Sequence, residues 1–197
     1  DFSKVAWRAK VGVGFSSMAV ADGRVFTIGC TGKRQGNEET FYALNAATGE
    51  VLWKDTYPSA LVDYLHEGGP CATPTVDGSR VIGLSKDGRL TCYSIGSGRK
   101  VWTVNLMEKA ELPRPPEWGF AASPLVLGDL LIVEATFTLA LNRETGREVW
   151  RSKAYRPAYG SPVAFDFKGR KYLATLKTDG SVILDATNGK TVAFEDW

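Results

Sequence analysis

Short β-favouring runs, each closed by a Gly-containing turn, pattern most of the chain. Residues 71–76 form one such run, and Asp77-Gly78 turns it. Residues 80–85 run back, Lys86-Asp87-Gly88 turns again, residues 89–95 follow, and Gly96-Ser97-Gly98 leads into residues 99–106. Turn signals of this kind between β-favouring runs predict antiparallel hairpins, here joined into a four-stranded meander with strands a to d. The punctuation recurs downstream, with runs at 160–165, 172–176 and 182–185, turns near Lys168-Gly169 and at Asp179-Gly180, and a last strand near 191–194. It recurs upstream with runs at 17–20, 25–29 and 40–45, a turn at Asp22-Gly23, and a polar loop over 31–39.

One phrase marks the entry to the fourth strand of every unit. It reads Gly49-Glu50-Val51-Leu52-Trp53, Gly98-Arg99-Lys100-Val101-Trp102 and Gly146-Arg147-Glu148-Val149-Trp150, with a weaker copy from Gly189 to Phe194. A repeat of roughly 45 residues carrying four strands is the mark of a β-propeller, whose blades bury their apolar faces only against one another. The expected fold is therefore an all-β propeller of four-stranded antiparallel blades, with four complete blades in the chain. As one propeller region, 1–197 divides into an outer strand over 1–10 and blades over 11–56, 57–106, 107–153 and 154–197. The third blade lacks the Asp-Gly turn between its second and third strands and is two residues shorter there. A tight or distorted turn is expected, aiming Glu134 at the blade edge.

The stretch Val5-Ala6-Trp7-Arg8 resembles a fourth strand with no strands a to c before it. Because the last blade carries its own fourth strand, this lone strand has no gap to fill. The bookkeeping favours part of a larger ring of seven or eight blades, closed by further blades or by a second copy.

Composition excludes several classes. The 197 residues are 44% apolar, and no run approaches the roughly 18 apolar residues of a membrane span. A net charge of +2, from 24 basic and 22 acidic residues without a basic block, argues against nucleic acid. The cysteines Cys30, Cys71 and Cys92 have neither disulfide-framework nor zinc spacing, and read as small apolar residues.

The stretch from Ala43 to Trp53, with echoes over 141–150 and 184–189, resembles the tryptophan-docking motif of pyrroloquinoline-quinone (PQQ)-like propellers. The openings Ala72-Thr73-Pro74, Ala122-Ser123-Pro124 and Gly160-Ser161-Pro162 are similar to that family as well. The resemblance is closer to the non-catalytic outer-membrane β-barrel assembly lipoprotein type than to quinoprotein alcohol dehydrogenases. It implies a binding scaffold for a protein or peptide, in an exported, periplasmic or cell-envelope location, with no cofactor. The alternative it implies is a PQQ- and calcium-dependent dehydrogenase or part of one. The repeated residues Gly49, Trp53, Gly98, Trp102, Gly146, Trp150 and Gly189 recur in the blades and read as structural, since a catalytic group is needed once.

Singular residues carry any candidate function. They sit in the loops joining strand d of one blade to strand a of the next, on the face that also carries the b-to-c turns. The first loop holds Tyr57, Tyr64, the only histidine His66, and Glu67; the second is proline-rich and ends in Glu117-Trp118; the third supplies Tyr155, Arg156 and Tyr159. Tyr57, Tyr64, His66, Glu67, Glu117, Trp118 and Tyr159 are the binding-face candidates. His66 beside Glu67 could act as a general base or a metal ligand, or only order its loop. Glu117 and Trp118 could supply a calcium carboxylate and a quinone-stacking ring. No catalytic residue and no metal site are assigned, because the vicinal cysteines and calcium cage of the dehydrogenases match nothing here. Lys86, Asp87, Lys177 and Asp179 read as solvated turn residues.

Overall fold

The computed structural model describes residues 4–31, 38–59 and 68–197, and these form four separate four-stranded antiparallel sheets. Blade 1 contains β1 (Ala19–Ala21), β2 (Arg24–Thr31), β3 (Glu38–Asn45) and β4 (Val51–Pro58). Blade 2 contains β5 (Thr75–Asp77), β6 (Arg80–Leu84), β7 (Arg89–Ser94) and β8 (Lys100–Asn105). A single helical turn, α1 (Leu106–Lys109), follows it. Blade 3 contains β9 (Leu125–Leu127), β10 (Leu130–Glu134), β11 (Thr138–Asn142) and β12 (Glu148–Arg151). Blade 4 contains β13 (Val163–Phe167), β14 (Arg170–Lys177), β15 (Gly180–Asp185) and β16 (Thr191–Asp196). In every sheet the strands lie in chain order, and the innermost strands β1, β5 and β9 neighbour one another in succession. This is the blade arrangement of a propeller.

The core lies between blades. Phe26, Ile28 and Phe41 of blade 1 pack against Val81, Tyr93 and Ile95 of blade 2. Ile82, Leu84 and Leu90 of blade 2 meet Leu131, Val133 and Leu139 of blade 3, and Ile132 and Ala140 of blade 3 meet Leu173, Val182 and Leu184 of blade 4. Each sheet is thus half a core until its neighbour covers it.

The Gly-to-Trp phrase is the fastening of these interfaces. In each blade a bulge interrupts the pairing of the third and fourth strands at one repeat position, Ala43/Leu44, Cys92/Tyr93, Ala140/Leu141 and Ile183/Leu184. The preceding turn closes by a Gly N–H donating back to the carbonyl four residues earlier, at 2.8 to 2.9 Å in all four blades. In blades 1 and 3 the Asn45 and Asn142 side chains accept from the two backbone N–H groups two and three residues on, and in blade 4 Asp185 accepts from Thr187 N. The glycine has φ near +70° and lies under the tryptophan of the preceding blade. A Cβ on Gly98 would stand 2.6 Å from the Trp53 ring, and one on Gly189 would stand 2.4 Å from Trp150. Only glycine supplies that backbone and that clearance together.

The segment before β1 follows the same rule. Trp7 lies on Gly49, and its indole N–H donates to Ala46 O at 2.9 Å, as Trp53 donates to Ile95 O at 3.0 Å and Trp102 to Arg143 O at 3.1 Å. Each acceptor lies three residues before the docking glycine. Residues 4–10 join no strand ladder, but Trp7 occupies the place of a preceding blade's fourth-strand tryptophan. The series stops at blade 4, where Ala193 opposes Ile183 at the tryptophan register and Val163, Phe165, Phe167 and Val192 stand exposed.

Candidate binding face

Two loops build the face that carries the b-to-c turns. The first leaves β8 through α1, where the Asn105 side chain caps the turn by accepting from Met107 N, and then enters Pro113, Pro115 and Pro116. It returns over blade 2. Phe120 N–H donates to Lys86 O at 2.8 Å, and Gly119, with φ +74°, passes so close that a Cβ would lie 2.7 Å from that oxygen. The second loop is laced to the turns of two blades: Tyr155 N–H donates to Thr136 O at 2.9 Å, and Thr178 N–H donates to Arg156 O at 3.2 Å. Thr178 Oγ1 also donates to Pro157 O at 2.6 Å.

Between these loops opens a cavity of about 1170 Å³. One wall is the proline run with Arg114 and Glu117; the other is Tyr155, stacked on Phe194 at 6.1 Å between centroids, with its hydroxyl 2.6 Å from Thr191 Oγ1. Lys153 Nζ stands 5.0 Å from the Tyr155 ring centroid at the mouth. Arg156 is committed to Asp179, whose carboxyl it holds below the ordinary range through that hydrogen bond. Proline supplies a wall with fixed φ and no donor of its own, so its shape survives without a ligand.

Beneath the cavity the interface between blades 3 and 4 departs from the others. By register Glu134 occupies the position held by Ile28 and Leu84 in blades 1 and 2. It is 5% exposed, accepts from Thr138 Oγ1 at 2.9 Å, and pairs with Lys177 of blade 4, which is 1% exposed. Burial pushes the Glu134 carboxyl up, and the Lys177 charge opposes the shift. Lys177 Nζ lies 5.9 Å from the Tyr155 centroid, so the tyrosine covers the pair. The expectation that the short turn of blade 3 aims Glu134 at the blade edge is corrected, because Ala135 N–H closes the turn onto Phe137 O and leaves Glu134 pointing between blades. Lys177 is likewise no solvated turn residue, nor is Lys86, at 3% exposed. Position in the polar turn misled; the ion pair required the neighbouring blade.

A second buried polar group lies between blades 1 and 2. Ser59 Oγ lies 3.1 Å from a Glu39 carboxyl oxygen and 2.6 Å from one of Asp87, with a single proton to donate between them, while Tyr57 Oη donates to Glu39 at 3.3 Å. Burial raises the Glu39 carboxyl above its ordinary value, against the hydrogen bonds of Ser85 and Ser59. Tyr57 was expected in the loop; it belongs to β4, is buried, and lies 4.6 Å beneath the Arg89 guanidinium. Tyr64, His66 and Glu67 lie outside the described residues. Glu117, Trp118 and Tyr159 are brought together at the exposed rim, with the Trp118 and Tyr159 rings 6.2 Å apart and Trp118 N–H donating to Tyr159 Oη at 3.4 Å. The two rings are tilted by 52°, and among the described residues no three His, Cys, Asp or Glu side chains converge on a metal position. The sequence assigns no role to Lys153 or Arg114, and Glu134 and Lys177, each noted there, are not paired by it; the polar residue in an apolar register position at 134 was the available signal.

Over residues 2–138 the sequence matches the family described as outer membrane protein assembly factor BamB. The chain belongs to the BamB family. The BamB of Burkholderia pseudomallei (strain K96243) is 27% identical over 165 residues, covering 73% of this chain and 40% of that protein. The crystal structure of BamB from Moraxella catarrhalis superposes with a TM-score of 0.67 at 22% identity, over 97% of this chain and 52% of that one. A europium-containing methanol dehydrogenase superposes as well, with a TM-score of 0.69 at 18% identity over 92% of this chain. Likeness at that identity shows the propeller fold, which both kinds of protein share. The chain spans about half the length of the BamB proteins it matches, or less.

Proposed function

We propose that this chain is a non-catalytic propeller scaffold of bacterial outer-membrane protein assembly, located in the cell envelope, and that it binds a protein partner on the face formed by the d-to-a loops and b-to-c turns. The BamB family match supports the assembly role. The observation that carries the binding role is the rigid, open cavity between the proline run and Tyr155, walled by residues that occur once in the chain and not in every blade. Rigid loops on a packed scaffold lose little entropy when a partner docks. No cofactor enters this reading.

The test is a titration of the purified chain, its intact mass checked first, with pyrroloquinoline quinone and calcium, followed by tryptophan fluorescence. The scaffold reading predicts no saturable change. Saturable 1:1 binding that disappears on chelating calcium would overturn it.

A further inference from the structure

The cavity between blades 3 and 4 has a chemistry of its own. Two cations stand at its mouth with no anionic partner among the described residues: Arg114 on the proline wall, and Lys153, whose ammonium lies over the Tyr155 ring. Of the two lining carboxylates, Asp179 is already neutralised by Arg156, which leaves Glu117 alone to offset them. The Thr136 hydroxyl on the same lining is buried and has no hydrogen-bond partner, an unusual state for a native polar group. Below the lining, covered by Tyr155, the buried Glu134–Lys177 pair sits where two other blades place Ile and Leu, although an ion pair in an apolar core gains little over hydrophobic packing. Cations without an anionic partner and apolar walls, formed by the prolines and the Tyr155–Phe194 stack, coincide at this one place.

We propose that this cavity takes an extended acidic peptide segment of a partner protein, its carboxylate side chains meeting Arg114 and Lys153 and its intervening apolar side chains lying between the proline run and Tyr155. The proposal rests on the scaffold reading and names the partner's chemistry. A volume of about 1170 Å³ is ample for several residues, and alternate side chains of an extended segment reach opposite walls. Arginine suits a carboxylate because its planar fork donates twice.

The test selects binders from a library of random twelve-residue peptides displayed on phage, using the 197-residue chain as bait, and measures selected peptides by fluorescence polarisation. The expected result is enrichment of Asp and Glu between apolar residues. Affinity for those peptides should fall roughly tenfold or more in R114A/K153A, given the strength of charge-assisted contacts, and weaken with added salt. Thermal unfolding of the variant should be unchanged, because both residues are exposed. Binders without acidic enrichment, or acidic binders indifferent to R114A/K153A, would overturn the cavity assignment while leaving a scaffold that binds elsewhere. Binding of phosphatidylglycerol vesicles that is lost in the same variant, with no peptide selected, would overturn the peptide and point to an anionic lipid surface. Calcium-dependent quinone binding in the titration above would instead remove the scaffold reading itself.

Discussion

Replacing Gly98 by alanine tests the docking interface in isolation. The new methyl group meets two obstacles. The backbone holds φ at +70°, where a side chain costs about 1 to 2 kcal/mol. The Cβ would also stand 2.6 Å from Trp53 Cδ2, and that ring has little room to yield. It stacks on Phe41 at 5.6 Å with an interplanar angle of 7°, and its N–H is held by Ile95 O. Overpacking of this kind adds about 1 to 3 kcal/mol. Gly78 provides the control, with φ +55° and nothing within 4 Å of a Cβ, so Gly78→Ala should show the conformational cost alone. G98A should therefore lose about 2 to 5 kcal/mol and G78A about 1 to 2, read from urea midpoints at constant m-value. In a W53A background the clash is gone, and G98A should cost no more than G78A. Equal costs for the two glycines in the intact chain, or no coupling between Trp53 and Gly98, would refute the docking argument.

Three further outcomes follow from the buried polar groups and turns. Glu134→Gln leaves Lys177 charged without a counterion and should cost about 3 to 5 kcal/mol, whereas E134L/K177L should come close to the wild type or exceed it in a thermal melt. Glu39 holds its proton to a higher pH when folded than the ordinary 4.5, so its contribution is greatest below that pH and is lost as pH rises through the folded value. Urea midpoints across that range should therefore decline more with rising pH in the wild type than in E39Q. Asn142→Ala removes the acceptor for Glu144 N, Thr145 N and Thr145 Oγ1, and should cost about 1 kcal/mol with the melt still cooperative.

The blades were legible because their signals are local. Asp77-Gly78 and Lys168-Gly169 each turn a strand within a few residues, and the glycine-to-tryptophan phrase repeats where each fourth strand begins. Of the helical turn at 106–109, Leu106 falls at the end of the strand expected over 99–106 and the rest falls in the expected loop, because only the Asn105 cap marks a helix this short. The site was less legible because it is made by pairs distant in sequence. Glu134 and Lys177 lie in different blades, and the proline run faces Tyr155 only once blades 3 and 4 pack. Tyr57 was misplaced for the same reason: its strand runs on to Pro58, and Glu39 and Arg89, from other strands, bury it. Glu117, Trp118 and Tyr159 came together as loop neighbours, at the rim and not on the cavity floor.

Site-specific photo-crosslinking in living bacteria tests the scaffold claim most directly. A photoreactive residue at Ala154, exposed on the loop face, is compared with one at Asn188, exposed on the turn at the opposite end of the blade. The account predicts that Ala154 yields a discrete adduct with a protein of outer-membrane assembly, identified by mass spectrometry, and that Asn188 does not. Adducts formed equally from both positions, or from Asn188 alone, would contradict it.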